Sequence, residues 1–213
     1  MNFSIFFNKL KIDTLLIFIF NFNTIMAQNT IRPIKDAKGI EVGDFVKDFD
    51  GEDIHSKHYS LASALRNGPV VLIFIRGQWC PFCNKHLAEV QDSLSLIYDK
   101  GASVVVISPE KSEFIKKTID KTGAEFTILF DNGYKISDAF DVTYKPDSMQ
   151  RFVYNNVLGA KLKEAHSDNS ERLPIPATFI IGKDGKVVWR QFDPNYKKRS
   201  MIAEILMNIP KSK

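Results

Sequence analysis

The sequence predicts an α/β domain in which a central mixed sheet is flanked by helices. Short apolar segments typical of buried strands alternate with amphipathic segments typical of helices between residues 70 and 140. A hairpin and a final helix follow this alternation. Because strands joined through helices run parallel and hairpin strands run antiparallel, this order predicts a mixed sheet with helices on both faces.

Three strands and three helices are predicted in the alternating region. The strands lie at residues 70–75, 104–107 and 126–130. The helices are expected at about residues 81–99, from Ser108-Pro109 to Gly123, and at residues 134–140. The first helix has a single apolar stripe, formed by Leu87, Val90, Leu94 and Ile97. Proline is favoured in the first turn of a helix, so Pro109 places the predicted start of the second helix.

The remaining segments flank this region. Residues 28–40 are expected to be an irregular lead-in, and residues 41–69 carry turn signals with a short helix near 60–66. Towards the end of the chain, the sequence predicts a helix at 148–156, a strand at 174–181, its hairpin partner at 186–191 and a last helix at about 197–208.

The first residues resemble a secretory signal peptide. Lys9 and Lys11 precede an apolar run at residues 15–20, and Ala27 offers a small residue for cleavage. An uncleaved anchor is the alternative, but it needs about 20 unbroken apolar residues, and two asparagines interrupt this run. We therefore expect residues 1–27 to be removed. A domain at 28–213 would then be exported to the periplasm or the extracellular space, with no stable membrane association.

The charge of the chain is mild. The formal net charge is +4, and the sequence has no interleaved basic and aromatic pattern that would indicate nucleic-acid binding. The basic run at residues 197–199 is expected on a solvated helix face. Residues 28–213 are enough for one domain with a substantial core.

The two cysteines of the chain, Cys80 and Cys83, are three residues apart at the predicted strand-to-helix junction. A Cys-x-x-Cys at such a junction is typical of a redox site, since the helix dipole and the first-turn N–H groups stabilise a thiolate there. Two structural cysteines are the alternative. A zinc site needs about four ligands and has only His86 nearby, and haem attachment needs histidine where Asn84 stands. We therefore predict no metal and no cofactor.

The segment Trp79-Cys80-Pro81-Phe82-Cys83 resembles the Trp-Cys-x-x-Cys site of the thioredoxin-like superfamily. Pro176 matches the family proline that opens a strand beside the dithiol, and the resemblance implies a cis Ile175-Pro176 bond facing the cysteines. Residues 76–84 are more specifically similar to the peroxiredoxin-like branch of the AhpC/TSA family, as are residues 173–179 and 193–196. The resemblance covers roughly residues 40–210 and implies a thioredoxin-like fold.

The sequence departs from both family patterns at its site. In an ungapped alignment Cys83 takes the peroxidatic position, Cys80 replaces a threonine and Arg76 replaces a proline. The peroxide-orienting arginine of peroxiredoxins is replaced by Pro176. Thioredoxins attack with the first cysteine instead, and their buried acid would fall at Phe74. The nucleophile and the substrate, a peroxide or a protein disulfide, therefore stay open.

Two enzymatic functions follow from the resemblance. One is a peroxiredoxin-like thiol peroxidase that a thioredoxin-like protein reduces, and the other is an exported protein thiol–disulfide reductase. A non-enzymatic binding domain is the third alternative, and the intact dithiol argues against it. Cys80 and Cys83 are the candidate catalytic residues in either enzyme. Trp79, Pro176 and Arg76 are the candidate substrate-positioning residues, and Arg76 either points inward to favour the thiolate or is solvated.

The cysteines and histidines also carry expectations. Cys80 lies nearer the loop, so we expect it to be the more exposed sulfur and favour it as the nucleophile for disulfide exchange. His86 is expected to pack rather than to transfer protons. The other three histidines, His55, His58 and His166, have no functional partner visible in the sequence.

Overall fold

The computed structural model describes residues 32–211, and a five-stranded mixed sheet organises them in the order β5-β4-β3-β8-β9. Strands β3, β4 and β5 are parallel, while β8 and β9 are antiparallel to their neighbours. In chain order the strands are β1 (Asp50–Glu52), β2 (His58–Ser60), β3 (Val70–Phe74), β4 (Ser103–Ser108), β5 (Thr127–Phe130), β6 (Thr143–Tyr144), β7 (Leu173–Pro174), β8 (Ala177–Ile181) and β9 (Val187–Phe192).

The α-helices connect these strands. They are α1 (Leu61–Asn67), α2 (Pro81–Asp92), α3 (Leu94–Asp99), α4 (Ser112–Thr122), α5 (Lys135–Ala139), α6 (Ser148–Asn156), α7 (Leu162–Ala165) and α8 (Ile202–Asn208). The helix predicted at 148–156 is confirmed residue for residue. Its start is fixed by a capping box in which the Asp147 side chain accepts from the Gln150 N–H, while the Gln150 side chain accepts from the Asp147 N–H.

The central strand β3 is buried on both of its faces, which explains its unbroken apolar sequence. Alternate side chains point to opposite sides of the sheet. Val71 and Ile73 enter one core cluster, together with both cysteines and residues of α2, α4 and α8. Leu72 and Phe74 enter a second cluster with residues of α1 and α5. The predicted central mixed sheet with helices on both faces is therefore confirmed.

Two predicted helix starts are wrong, and one predicted helix is divided in two. The helix predicted at 81–99 is divided at Ser93 into α2 and α3. The helix predicted to begin at Ser108-Pro109 begins at Ser112, because Ser108 still pairs with Phe130 in the sheet. The last helix begins at Ile202 rather than near 197, because the preceding residues form an irregular segment.

The hairpin of β1 and β2 lies in the region for which only turns and a short helix were predicted. No helix among residues 32–211 is long and apolar enough to cross a membrane. The predicted signal peptide, residues 1–27, lies outside the described residues and stays a prediction.

Candidate active site

A loop after β3 carries the first cysteine to the start of α2. This segment, residues 75–80, is called the dithiol loop below. Cys80 is the N-cap of α2: its Sγ lies 3.4 Å from the Cys83 backbone N, which donates to it, and Pro81 occupies the first turn. A sulfur at a helix N-cap receives a backbone N–H and the positive end of the helix dipole. The predicted placement of the motif at a helix start is confirmed.

The two sulfurs lie together in the interior. Cys80 Sγ and Cys83 Sγ are 2.8 Å apart, both thiols are free, and both residues are 0% exposed. The expectation that Cys80 would be the more exposed sulfur is wrong, because side chains from outside the motif cover both. A proton can be shared between sulfurs at this distance, so the pair titrates as a unit.

Arg76 points inward from the dithiol loop and is 1% exposed. Its Nη2 donates to Cys80 Sγ over 3.1 Å. The guanidinium carbon lies 4.8 Å from the Trp79 ring centroid, 5.2 Å from that of Tyr154 and 4.1 Å from that of Tyr196. Aromatic faces attract a cation at such distances, so a delocalised guanidinium can be held here away from water.

A second guanidinium reaches the site from the chain's other end. Residues 193–200, called the strap below, connect β9 to α8 without regular structure. Arg199 Nη2 lies 3.5 Å from Cys83 Sγ, within reach of a hydrogen bond to sulfur. The basic run at residues 197–199 predicts a solvated helix face, and for Arg199 that prediction is wrong. A basic run contains no signal that one member turns inward.

The charges around the dithiol act differently on the two thiols. Burial raises the pKa of Cys80, and the neighbouring Cys83 raises it further, while Arg76 opposes both. Burial alone would raise the pKa of Cys83, but its hydrogen bond with Cys80 and the charges of Arg199 and Arg76 hold it below its usual range. The N-cap contact and Arg76 also favour charge on Cys80. In the structure Cys83 Sγ donates to Cys80 Sγ, but the proton of this contact can move to Cys80. We assign the thiolate to Cys83, because the charges of Arg199 and Arg76 both favour its ionised form once Cys80 holds the shared proton.

Trp79 and Pro176 are the other two predicted positioning residues. Trp79 is 6% exposed, and its ring centroid lies 4.9 Å from that of Tyr154, so it forms part of the wall beside Arg76. Pro176 is buried at the end of β3 from which the dithiol loop leaves, since the following Ala177 pairs with Phe74. The predicted cis bond before Pro176 is wrong. All described peptide bonds are trans, the isomer of lower energy.

Glu110 is a buried acid that no pattern in the sequence had indicated. The residue is 0% exposed, and its Oε2 accepts a hydrogen bond from the Gln78 backbone N–H over 2.7 Å. Burial raises its pKa to about 8, and the charge of Cys83 contributes in the same direction. Gly77 has a φ of 141°, and a Cβ there would collide with the Glu110 carboxylate. The dithiol loop and Glu110 therefore fit together only with glycine at this position.

The buried histidines have structural partners. His86 Nε2 lies 3.1 Å from Ser200 Oγ, and burial together with the charge of Arg199 lowers its pKa to about 4. His166 Nδ1 lies 2.6 Å from the Tyr134 hydroxyl, and burial lowers its pKa to about 4 as well. Neither is a cation at neutral pH. In residues 32–211 no group of three or more His, Cys, Asp or Glu could hold a metal ion.

This fold and this buried dithiol match a known family. The sequence model of the AhpC/TSA family matches residues 42–190. The chain belongs to the AhpC/TSA family. The residues that match the family model include most of the sheet and the whole Cys-x-x-Cys segment, and they end before the strap.

Individual relatives fall into two kinds. The chain is 25% identical over 173 residues to peroxiredoxin Bcp of Bacillus subtilis, covering 80% of this chain and 95% of the relative. It is 21% identical over 154 residues to thiol-disulfide oxidoreductase ResA of Bacillus thuringiensis, covering 72% of this chain and 70% of the relative. Both are thiol-based oxidoreductases, the class of enzyme to which this chain belongs.

A solved structure supports the fold assignment. The crystal structure of peroxidoxin BcpB from Mycobacterium tuberculosis superimposes with a TM-score of 0.58 at 23% identity. The superposition covers 72% of this chain and 86% of the other. Similarity at this level shows the fold alone, which is the predicted thioredoxin-like fold of the family.

Proposed function

We propose that this protein is an exported, peroxiredoxin-like enzyme that reduces peroxides through its Cys80–Cys83 dithiol and is regenerated by a thioredoxin-type reductant. The observation that carries the proposal is the enclosed sulfur pair. The two Sγ atoms are 2.8 Å apart, and each lies within 3.5 Å of a different guanidinium nitrogen. A thiolate held this way is both stabilised and next to a thiol that can resolve its oxidation product.

One peroxide molecule oxidises the dithiol to a disulfide in two steps. The Cys83 thiolate attacks one peroxide oxygen, an S–O bond forms and the O–O bond breaks. The leaving oxygen takes the electron pair and is protonated from water, while Cys83 becomes a sulfenic acid. The Cys80 thiol then attacks the Cys83 sulfur, a disulfide forms and water leaves. A dithiol partner reduces the disulfide by exchange and becomes oxidised itself.

The burial of the sulfurs favours a small substrate. Both cysteines are 0% exposed, and the rings of Trp79 and Tyr196 pack on the Arg76 guanidinium beside them. A hydroperoxide needs a narrow passage, whereas a protein disulfide must bring its backbone to the attacking sulfur. The closed site therefore supports peroxide as the oxidant, and the partner protein has to gain access in the second half of the cycle.

Protein disulfide reduction is the second candidate function. The similarity to ResA favours it, as does the absence of the peroxidatic threonine and of the arginine that Pro176 replaces. In this alternative Cys80 is the attacking residue, and opening of the site precedes each turnover.

Two assays on the reduced protein separate these functions. Stopped-flow fluorescence should follow a rapid reaction with hydrogen peroxide, reported by Trp79 against the dithiol, and insulin should be reduced slowly. The opposite result would be fast reduction of insulin together with a rate towards peroxide no higher than that of free cysteine. In that case the protein would be a disulfide reductase. The same assay on ResA-type thioredoxin domains gives the reference rate for insulin.

Single cysteine variants assign the nucleophile. With peroxide, Cys80→Ser should accumulate a sulfenic acid on Cys83 that dimedone traps, because its resolving thiol is gone. Cys83→Ser should give no dimedone adduct. The opposite labelling pattern would make Cys80 the attacking residue.

The export proposed here rests on residues 1–27. Expression with a carboxyl-terminal tag, followed by fractionation and amino-terminal sequencing, should recover a chain that begins near Gln28 outside the cytoplasm. A full-length chain in the cytoplasmic fraction would contradict it.

A further inference from the structure

The strap is joined to the domain at both of its ends. Its start continues from β9, whose last residue, Phe192, pairs with Ala177 of β8. Within the strap, Asp193 pairs with Lys198 Nζ at 2.7 Å. At its end, Ser200 is 2% exposed and its Oγ lies 2.9 Å from Thr178 Oγ1 of β8 and 3.1 Å from His86 Nε2 of α2. The residues between these points therefore lie on the sheet edge and the start of α2, over the dithiol.

Two strap side chains complete the enclosure of the sulfurs. The Tyr196 ring packs 4.1 Å from the Arg76 guanidinium carbon and meets the Phe82 ring edge-on, with centroids 6.0 Å apart. Arg199 extends past it to Cys83 Sγ. The other contacts of the Arg199 guanidinium are backbone carbonyls of its own segment, those of Tyr196 and Lys198. The position of Arg199 relative to Cys83 thus depends on where the strap lies.

Two buried titratable groups near Cys83 carry no charge at neutral pH. His86, on the same helix, has its pKa lowered to about 4 by burial and by Arg199. Glu110, behind the dithiol loop, has its pKa raised to about 8 mainly by burial. Of the charges that act on Cys83, Arg76 belongs to the rigid dithiol loop and Arg199 belongs to the strap.

We propose that Arg199 is a catalytic residue that the strap delivers to Cys83, and that it stabilises the thiolate only while the strap covers the dithiol. This inference rests on the peroxide reduction proposed above. With the strap closed, the guanidinium holds the Cys83 thiolate for attack on the peroxide oxygen. Once the disulfide has formed, Cys83 has no charge and Arg199 loses its attraction to the site. The strap can then move aside for the reductant, and reduction restores the thiolate that closes it.

The first test measures the Cys83 thiolate directly, in full-length protein carrying Cys80→Ser so that one thiol titrates. Thiolate absorbance in the ultraviolet and the pH dependence of iodoacetamide alkylation give its pKa. Arg199→Gln should raise this pKa by about one unit, because one of two nearby positive charges is lost. Arg199→Lys should restore part of the shift. Lys197→Gln removes an equal charge from an exposed strap residue and should leave the pKa unchanged.

Each outcome of this titration decides the inference without using peroxide. An unchanged pKa in Arg199→Gln, or an equal shift in Lys197→Gln, would overturn the role of Arg199 even if the enzyme reduces peroxide. Conversely, the predicted shift in a protein that fails to reduce peroxide would retain the contact and reject the proposed function. With peroxide as substrate, Arg199→Gln should lower the second-order rate about tenfold at pH values below the pKa of both proteins, because there a rise of one pKa unit lowers the thiolate fraction tenfold.

The second test examines the covering role of the strap in reduced protein with both cysteines. Tyr196→Ala should accelerate reaction with the bulky aromatic disulfide dithiobis(nitrobenzoate) much more than reaction with the small reagent iodoacetamide. Lys197→Gln should change neither rate. If Tyr196→Ala changes both rates by the same factor, or neither, the strap does not control access and this part of the inference fails. Circular dichroism confirms that each variant is folded.

Discussion

The two walls of the dithiol each bring one arginine to one sulfur, but they are built differently. The dithiol loop continues directly from the buried strand β3, and Arg76 is 1% exposed among aromatic rings. The strap is irregular, and most of its residues between Asp193 and Ser200 are exposed. One wall is therefore part of the core, whereas the other is attached to it through the hydroxyl of Ser200, the ring of Tyr196 and the guanidinium of Arg199.

This difference separates two tasks of a redox site. We expect the loop wall to keep its guanidinium beside Cys80 in both redox states, since moving Arg76 would disrupt the core. We expect the strap wall to respond to the charge on Cys83, since few contacts hold it and a hydrogen bond such as that of Ser200 contributes about 1 kcal/mol. The same residue type thus provides constant stabilisation on one side and state-dependent stabilisation on the other.

The largest expected effect comes from removing the charge of the loop wall. Arg76→Met should make the reduction potential of the Cys80–Cys83 pair more negative by about 30–60 mV, because the thiolate of the reduced form loses its buried cation. Arg199→Met should shift the potential in the same direction by less, since opening of the strap relieves part of the loss. Equilibration with glutathione, followed by alkylation and mass spectrometry, gives both values. Equal shifts in the two variants would remove the distinction between the walls.

The second effect tests the acid that supports the loop wall. Glu110 has a pKa of about 8 in the folded protein against an ordinary value of 4.5, so the folded state holds a proton that the unfolded state releases. Its contribution to the free energy of unfolding is complete below pH 4.5 and is lost as the pH rises through about 8. Cys83 acts in the opposite sense over much of this range, because its pKa is lowered on folding.

The comparison with Glu110→Gln isolates the carboxyl group. Between these two pH values, wild type should lose stability relative to the variant by about 1.4 kcal/mol per pH unit. Urea unfolding of both proteins in the same buffers measures this difference, in which the cysteine and histidine contributions cancel. A difference that does not change with pH would mean that Glu110 is ionised in the folded protein throughout.

The smallest effect concerns the attachment of the strap. Ser200→Ala removes the hydroxyl between Thr178 and His86 and should lower the free energy of unfolding by about 1–2 kcal/mol, since a buried partner is left unsatisfied. It should also raise reactivity towards bulky thiol reagents by loosening the strap. Lys198→Ala, which removes an exposed ion pair with Asp193, should cost below about 1 kcal/mol. A larger loss for Lys198→Ala than for Ser200→Ala would show that the ion pair within the strap contributes more to stability than its attachment through Ser200.

The position of the dithiol could be predicted from the sequence, and the strap wall could not. The apolar strand and Cys-x-x-Cys are neighbours in the chain, so the placement of the dithiol at a helix start follows from local pattern. The sequence leaves open whether Arg76 points inward or into solvent, and its packing against three aromatic rings decides this. Arg199 is 116 residues from Cys83, and it reaches the sulfur through the pairing of β8 with β9 and the path of the strap. Glu110 was hidden in the same way: Ser108-Pro109 indicates a helix start locally, but pairing with β5 extends the strand.

The central claim is that a peroxide converts the two buried thiols into a reversible Cys80–Cys83 disulfide. Intact-mass and alkylation analysis of reduced protein, after one equivalent of hydrogen peroxide, tests it most directly. We expect both thiols to become unreactive towards alkylation, the chain to lose the mass of two hydrogens, and dithiothreitol to restore both thiols. Two alkylatable thiols after oxidation, or oxygen added to one cysteine with no disulfide, would contradict it.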